Sequence, residues 1–171
     1  MKRANTRPVP VGSVIIGGGN PIVVQSMCAT RTTDIEATVA QVRMLHDAGA
    51  GVVRIAVDSA KDVAALAEIR ARVPEASLSV DLQESYRLIT QVAPLVNKVR
   101  YNPGHLHHHE KQKSVRDKVA FIAETADRHG IALRVGVNCG SVDPEMAAKF
   151  EGADPPELDG VTAMVESALQ H

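Results

Sequence analysis

The chain has 171 residues, of which 44% are hydrophobic and 23% charged, and this composition is typical of one globular domain rather than of a disordered or collagen-like chain. Its 19 basic and 20 acidic residues give a net charge of −1, which excludes a general basic field for nucleic acid or an anionic membrane. No apolar run approaches the roughly 20 residues that span a bilayer, so we expect a soluble, cytoplasmic protein.

Two β-rich stretches open the chain, at residues 9–16 and 21–27, with Gly17, Gly18, Gly19 and Asn20 between them. This pattern predicts a β-hairpin around a glycine turn. The glycines do not predict a phosphate loop, because no Gly-Lys-Ser/Thr follows and the next element is a strand.

Short apolar runs then alternate with amphipathic helices. The predicted strands are 22–25, 51–57, 77–82, 98–101 and 132–137. The predicted helices run from a capping box at 33–36 to Gly49, from 59 to 73, and over 84–92, 115–128 and 160–169. Repeated βα units predict a parallel sheet, because parallel neighbours need crossover connections of about a dozen residues or more.

Two α/β architectures are compatible with five such units. One is a five-stranded, doubly wound, flavodoxin-like sheet, which the length favours. The other is part of a TIM-type (β/α)8 barrel after an N-terminal hairpin, since a whole barrel needs about 250 residues. The chemistry of the predicted strands favours the partial barrel.

Three predicted strands carry an arginine in or beside an apolar run: Arg54, Arg100 and Arg134. A buried, unpaired charge would cost several kcal/mol, so each of them needs an anionic partner. Side chains alternate along a strand, so Arg100 shares a face with Asn102, and Arg134 with Asn138.

Asp81 and Gln83 add further polar groups at the third strand of the alternation. Polar groups that cluster at the carboxyl ends of several strands are typical of the mouth of a barrel. Pairing with Asp81 would account for one arginine, and the others predict a bound anion, phosphate or diphosphate, because guanidinium groups match phosphate oxygens.

Other candidates are weaker. The loop residues His105, His107, His108 and His109 have no fixed spacing that aligns them, so we predict no metal site and a solvated loop. Cys28 and Cys139 follow predicted strands, but they form no disulfide framework and indicate a reducing compartment. Backbone amides at 138–141 are an alternative means of holding an anion.

Several segments together resemble the amino-terminal half of the GcpE-type 4-hydroxy-3-methylbut-2-enyl diphosphate synthases. These segments are Val23-Val24-Gln25-Ser26-Met27, the run from Thr30 to Val39, Val53-Arg54-Ile55-Ala56-Val57, Arg100-Tyr101-Asn102-Pro103-Gly104 and the run from Arg134 to Ser141. The resemblance is collinear and covers nearly the whole chain. It implies that residues 1–171 are the N-terminal part of a (β/α)8 substrate-binding barrel.

By this resemblance the expected function is the reductive ring opening and dehydroxylation of 2-C-methyl-D-erythritol 2,4-cyclodiphosphate in the methylerythritol phosphate route to isoprenoids. Members of the family are oxidoreductases that use ferredoxin or flavodoxin as the electron donor and a [4Fe-4S] cluster as the cofactor, and they form homodimers. The cluster ligands lie in a C-terminal domain that this sequence does not contain, so we expect the chain alone to be the inactive, diphosphate-binding half.

The resemblance also implies roles for individual residues. Arg54, Arg100, Asn102, Arg134 and Asn138 correspond to diphosphate-binding groups, and Asp81 to the acid of a third-strand motif. That motif commonly reads Asp-Ile-His-Phe, whereas this chain has Asp81-Leu82-Gln83-Glu84, so Gln83 is expected only as a neutral hydrogen-bond donor. Two alternatives remain open: a self-contained, non-redox domain that binds a phosphorylated ligand, and a regulatory protein that uses the His-rich loop.

Overall fold

The computed structural model describes residues 5–82, 85–107, 110–138, 142, 147–149 and 157–170. In chain order the strands are β1 (Val9–Val11), β2 (Val14–Ile16), β3 (Gln25–Met27), β4 (Val52–Val57), β5 (Leu78–Leu82), β6 (Lys98–Tyr101) and β7 (Ala132–Val135). The helices are α1 (Ile35–Asp47), α2 (Ala60–Arg72), α3 (Ile89–Val92), α4 (Val115–His129) and α5 (Glu157–Leu169). None of these helices is long and apolar enough to cross a membrane.

An N-terminal hairpin exists, but it lies within residues 9–16 and does not pair this stretch with residues 21–27. β1 pairs antiparallel with β2 through a tight turn in which Val11 is opposite Val14 and Gly12 adopts a φ of 58°. The glycine run that follows β2 leads instead to β3, which joins the main sheet. Our placement of the turn at the glycine run was wrong, because a two-residue connection with positive φ already closes the hairpin.

Strand order distinguishes the two architectures. The main sheet has the order β3-β4-β5-β6-β7, and all four neighbouring pairs are parallel. Each strand therefore lies beside the next one in the chain, as in a (β/α)8 barrel, whereas a flavodoxin-like sheet has the order 2-1-3-4-5. The partial barrel is confirmed, and the doubly wound alternative is wrong.

The helices pack in succession, α1 on α2, α2 on α3 and α3 on α4, over one face of this sheet. Between helices and strands lies the hydrophobic core, which buries Val53, Ile55, Val80, Val99 and Tyr101 together with Val39, Leu66, Ile69, Ile89 and Ile122. Alternate residues of the same strands point to the opposite face, the interior face of the barrel.

Local capping explains the ends of the helices. Ser59 and Asp62 form a capping box at α2, and Gly130 ends α4 in the left-handed conformation. At α1 the N-cap is Asp34, which accepts from the amide of Ala37, rather than the predicted Thr33. The predicted helix over 84–92 is broken into a 3-10 turn at Tyr86–Leu88, α3, and a second 3-10 turn that contains Pro94, with no side-chain N-cap bond at either of the first two pieces.

The hairpin covers the amino-terminal end of the sheet. Ser13 donates its amide to Ser77 Oγ at 3.1 Å, and the two hydroxyl oxygens lie 3.0 Å apart. A side chain at Gly12 would collide with Asn97, whose amide oxygen accepts from the backbone of Leu78 at 2.9 Å. The opposite end of the sheet, where the strands terminate, is the end that carries the predicted site residues.

Candidate anion-binding site

The interior face of the sheet is polar, and strand register arranges its side chains in two rows. Registered residues of neighbouring parallel strands point to the same side. The upper row, towards the carboxyl ends, contains Ala56, Asp81, Arg100 and Arg134. The lower row, two residues or about 7 Å deeper, contains Met27, Arg54, Ser79, Lys98 and Ala132.

Asp81 is the carboxylate at the centre of the upper row, and its side chain is 7% exposed. Oδ1 accepts from Nη1 of Arg100 at 2.9 Å, and Oδ2 lies 3.8 Å from Nη1 of Arg54. The sequence predicted a pairing with one arginine, and the structure shows contacts with two. One negative charge therefore faces two guanidinium groups.

The other contacts of Arg54 are weak. Its Nε and Nη2 donate to the thioether sulfur of Met27 at 3.1 and 2.8 Å, and thioether sulfur is a poor acceptor. Arg100 donates to the carbonyl of Gly136 at 3.5 Å, at the limit of a hydrogen bond. Both guanidinium groups therefore have N–H donors that find no strong acceptor among the described residues.

Arg134 lies next to Arg100 in register and is exposed on the same face. No described residue forms an ion pair or hydrogen bond with it. Together with Arg54, Lys98 and Arg100 it brings four cations against one carboxylate to the described interior face. This excess of positive charge is what a diphosphate, with its several oxygens, would neutralise.

The two predicted asparagines occupy different environments. Asn102 is buried just beyond β6, where its side-chain oxygen accepts from the amide of Gly104 at 3.1 Å. Its backbone carbonyl accepts from the amide of His105 at 3.1 Å, so this residue organises the turn that follows β6. Asn138 is exposed and lies three residues beyond the end of β7.

The loops at this end are fixed by charged residues. Glu110, which has a φ of 51°, accepts hydrogen bonds from Tyr86 and Arg87, so the loops after β5 and β6 are joined. The bond from Tyr86, and then that from Arg87, lower the pKa of Glu110. The buried Lys118 of α4 donates a hydrogen bond to the carbonyl of Leu106 at 2.6 Å.

Lys98 is a residue of the interior face that sequence reasoning missed. It is 5% exposed and donates to Gln25 Oε1. Burial, followed by the charges of Arg134 and Arg54, lowers the pKa of its ammonium group to about 8. A lysine at the first position of a strand usually extends to solvent, but its two-residue spacing from Arg100 could have placed it on the same face.

Several sequence predictions fall on residues outside the described part: Gln83, Cys139, the amides of 139–141, His108 and His109. Cys28 does not face the site. It packs in the core between sheet and helices, and burial raises the pKa of its thiol to about 11.

The described residues do not fit a [4Fe-4S] cluster. No group of three His, Cys, Asp or Glu among them could hold a metal ion, and Cys28 is enclosed by apolar side chains. Thiolate is the form that binds iron, and the raised pKa disfavours it.

Comparison with known proteins agrees with this geometry. The family model described as the GcpE TIM-barrel domain matches residues 6–171. A protein of Rhodopirellula baltica named 4-hydroxy-3-methylbut-2-en-1-yl diphosphate synthase (flavodoxin) is 54% identical over 171 residues, which are 100% of this chain and 43% of that protein. A protein of the same name from Lysinibacillus sphaericus is 41% identical over 99% of this chain and 42% of its own length. The chain thus spans less than half the length of these relatives.

Proposed function

Because the chain belongs to the GcpE TIM-barrel domain family, we propose that it is the substrate-binding barrel portion of a 4-hydroxy-3-methylbut-2-enyl diphosphate synthase. In this proposal residues 1–171 are the N-terminal part of a (β/α)8 barrel. The substrate is 2-C-methyl-D-erythritol 2,4-cyclodiphosphate, and the reaction is its reductive ring opening with loss of a hydroxyl group.

The observation that carries the proposal is the excess of cations at the carboxyl ends of β4 to β7. Asp81 is the one carboxylate in the described rows of this face, and it contacts Arg54 and Arg100 but not Arg134. A diphosphate would accept hydrogen bonds from the guanidinium N–H groups that Asp81 does not engage and that, in the described part of the chain, reach a thioether, a distant carbonyl or solvent. Charge-assisted bonds of this kind are stronger than neutral ones.

Each residue has a stated role in the proposal. Arg100 and Arg134 bind the diphosphate from neighbouring strands, and Arg54 approaches it from the lower row. Asn138 donates a hydrogen bond to the diphosphate, and Asn102 shapes the loop after β6. Gln83, which lies outside the described residues, keeps the role of neutral hydrogen-bond donor that the family resemblance implies. Asp81 orients Arg54 and Arg100 through its contacts with both and is the catalytic carboxylate of the proposed site.

In this proposal, the part that supplies the electrons corresponds to the portion of the relatives that this chain does not cover. Both relatives carry flavodoxin in their names, and we propose flavodoxin or ferredoxin as the donor for this protein too. The [4Fe-4S] cluster and a homodimer that brings one subunit's barrel to the cluster domain of its partner are part of the same proposal. The residues of this chain contribute binding and orientation of the substrate.

Calorimetric titration of the chain with the cyclodiphosphate tests the binding role. Arg134→Ala should weaken binding about 10- to 150-fold, which corresponds to the roughly 1.5–3 kcal/mol of one charge-assisted hydrogen bond. Arg72→Ala is the matched control, because Arg72 pairs with Glu36 on the outer helices, 2.8 Å from its Oε2, away from the interior face. Equal affinity of Arg134→Ala and the unmodified chain would contradict the assignment.

A chimera tests the reaction itself. This chain would replace the aligned part of the Rhodopirellula baltica relative, and turnover of the cyclodiphosphate with reduced flavodoxin would be measured. Turnover that is lost on Arg134→Ala supports the proposal. A folded chimera that binds the cyclodiphosphate without converting it would instead favour a non-redox domain that binds a phosphorylated ligand.

A further inference from the structure

Lys98 places a second, deeper positive charge beneath the arginines of the anion site. Its register partners are Ser79 on β5 and Ala132 on β7, so its side chain lies on the interior face one row below Arg100 and Arg134. Burial of 95% is expensive for an ammonium group unless it has partners. Its ammonium group donates a hydrogen bond to Gln25, a neutral amide.

The lower row has no acidic residue to balance Lys98. Its members among the described residues are Met27, Arg54, Ser79, Lys98 and Ala132. Ser79 lies in register between Arg54 and Lys98, and its fully buried hydroxyl oxygen has no hydrogen-bond partner in the described part of the chain. The row is therefore both positively charged and incompletely satisfied, which is unusual for a closed interior.

The groups that face Lys98 are defined for every strand beside it. β3 contributes the neutral Gln25, β4 contributes Arg54, β5 contributes Ser79 with Asp81 one row above, and β7 contributes Arg134 one row above. Asp81 is already engaged by Arg54 and Arg100. The helices pack on the opposite face, so the charge environment of Lys98 is set by these strand residues.

We propose that Lys98 is a positioning residue whose ammonium charge, held below Arg100 and Arg134, strengthens the binding of diphosphate and makes that binding depend on pH. The inference rests on the proposed function of the upper row as a diphosphate site. Lys98 acts through the field at the site, since the arginines of the upper row lie between it and the mouth.

The direction of the pH dependence follows from the state of the amine. Burial, Arg134 and Arg54 lower the pKa of Lys98 to about 8 in the free chain. Below that pH the ammonium attracts the anion, and above it the neutral amine does not. A bound anion favours the charged form, so diphosphate binding raises the pKa of Lys98 and couples binding to uptake of a proton.

The test compares the unmodified chain with Lys98→Arg and Lys98→Met, using inorganic diphosphate as the probe. Dissociation constants are measured by calorimetry from about pH 7 to about pH 9.5, a range that includes the pKa of Lys98. Lys98→Arg keeps its charge throughout this range, and Lys98→Met has none. Because the probe's own protonation is common to all three proteins, differences between their pH profiles report on residue 98.

We expect the unmodified chain to lose about tenfold more affinity than Lys98→Arg between the two ends of the range. Lys98→Met should bind weakly at both ends and follow the shallower profile. Circular dichroism checks that each variant is folded, and one folded variant suffices because each is compared with the unmodified chain separately.

The possible failures are distinguishable. Parallel profiles for the unmodified chain and the folded variants would overturn the role of Lys98 while leaving the anion site intact. If the folded, unmodified chain does not bind diphosphate at any pH, the proposed function of the upper row fails, and the inference fails with it.

Discussion

Replacing Gly136 with alanine should disable Arg100 without changing any charged residue. Gly136 follows β7, and its amide donates to the carbonyl of Tyr101 at 2.9 Å. The guanidinium group of Arg100 lies directly over this glycine. A Cβ at position 136 would be 2.6 Å from Cζ of Arg100 and closer still to Nε, whereas ordinary Cβ contacts begin at 3.4 Å.

The guanidinium group would have to retreat by roughly an ångström. Such a movement would break the 2.9 Å bond to Asp81 and take Arg100 away from the proposed anion site. Loss of one charge-assisted bond costs about 1.5–3 kcal/mol, so we expect diphosphate to bind about 10- to 150-fold more weakly. The backbone itself is not strained, because Gly136 does not have a positive φ.

Calorimetry with inorganic diphosphate measures this loss. Gly51→Ala is the matched control, since its Cβ would crowd Val23 and Val14, at 2.8 and 3.2 Å, far from the anion site. The control should lower the melting temperature and leave the dissociation constant unchanged.

A double variant identifies the cause. Gly136→Ala combined with Arg100→Ala should bind no more weakly than Arg100→Ala alone, because both substitutions remove the same interaction. If Gly136→Ala binds diphosphate as tightly as the unmodified chain while Arg100→Ala does not, the contact between these two residues does not position the guanidinium group, and the reasoning is refuted.

Three further predictions concern single residues. Asp81→Asn should bind diphosphate on the order of tenfold more tightly, because Arg54 and Arg100 lose their competing carboxylate. Its free energy of unfolding should be about 3 kcal/mol lower than that of the unmodified chain. Unchanged affinity in calorimetry would contradict this prediction. The free energy of unfolding of the ligand-free chain should rise with pH between about 8 and 10.5, because in this range Lys98 is protonated in the unfolded chain and neutral in the folded one. Denaturant titrations of Lys98→Met should lack this rise. Cys28 should react slowly with iodoacetamide at about pH 8, since its thiol is buried with a pKa of about 11, and rapid modification of its peptide in mass spectrometry would refute its place in the core.

Much of the fold follows from local patterns in the sequence. The alternation of apolar strands and amphipathic helices predicted the parallel sheet, and the structure confirms it because every crossover carries a helix to the same face. The hairpin was predicted with the wrong turn, because three consecutive glycines are a stronger signal in a sequence than the Gly12–Ser13 pair that closes it. The helix predicted over 84–92 is helical from Tyr86 but α-helical only at Ile89–Val92, because Pro94 and the absence of a side-chain cap shorten its regular part.

The sequence predicted the arginines and the carboxylate of the candidate site, but not which of them contact one another. An arginine in an apolar strand indicates a buried charge, and period-two alternation correctly groups Arg100 with Asp81 and Arg134 once the register is known. Alternation within a strand does not give the register between strands. The sequence therefore did not predict that Asp81 contacts two arginines, or that Arg54 reaches it from the lower row. Lys98 was missed because its burial depends on neighbours from β3 and β4 that are distant in the sequence.

The same strands serve folding and binding through their two faces, and these roles oppose each other. The residues that face the helices, such as Ile55 and Val80, stabilise the fold by burying apolar surface. The interior residues Arg54, Lys98 and Arg100 oppose folding, because like charges in a buried row repel one another and the described part of this face offers one carboxylate, Asp81. An anion that binds only to the folded chain relieves this repulsion, so its binding energy adds to stability by mass action. In the proposed function, the interior charges therefore couple the stability of the fold to binding of the anion.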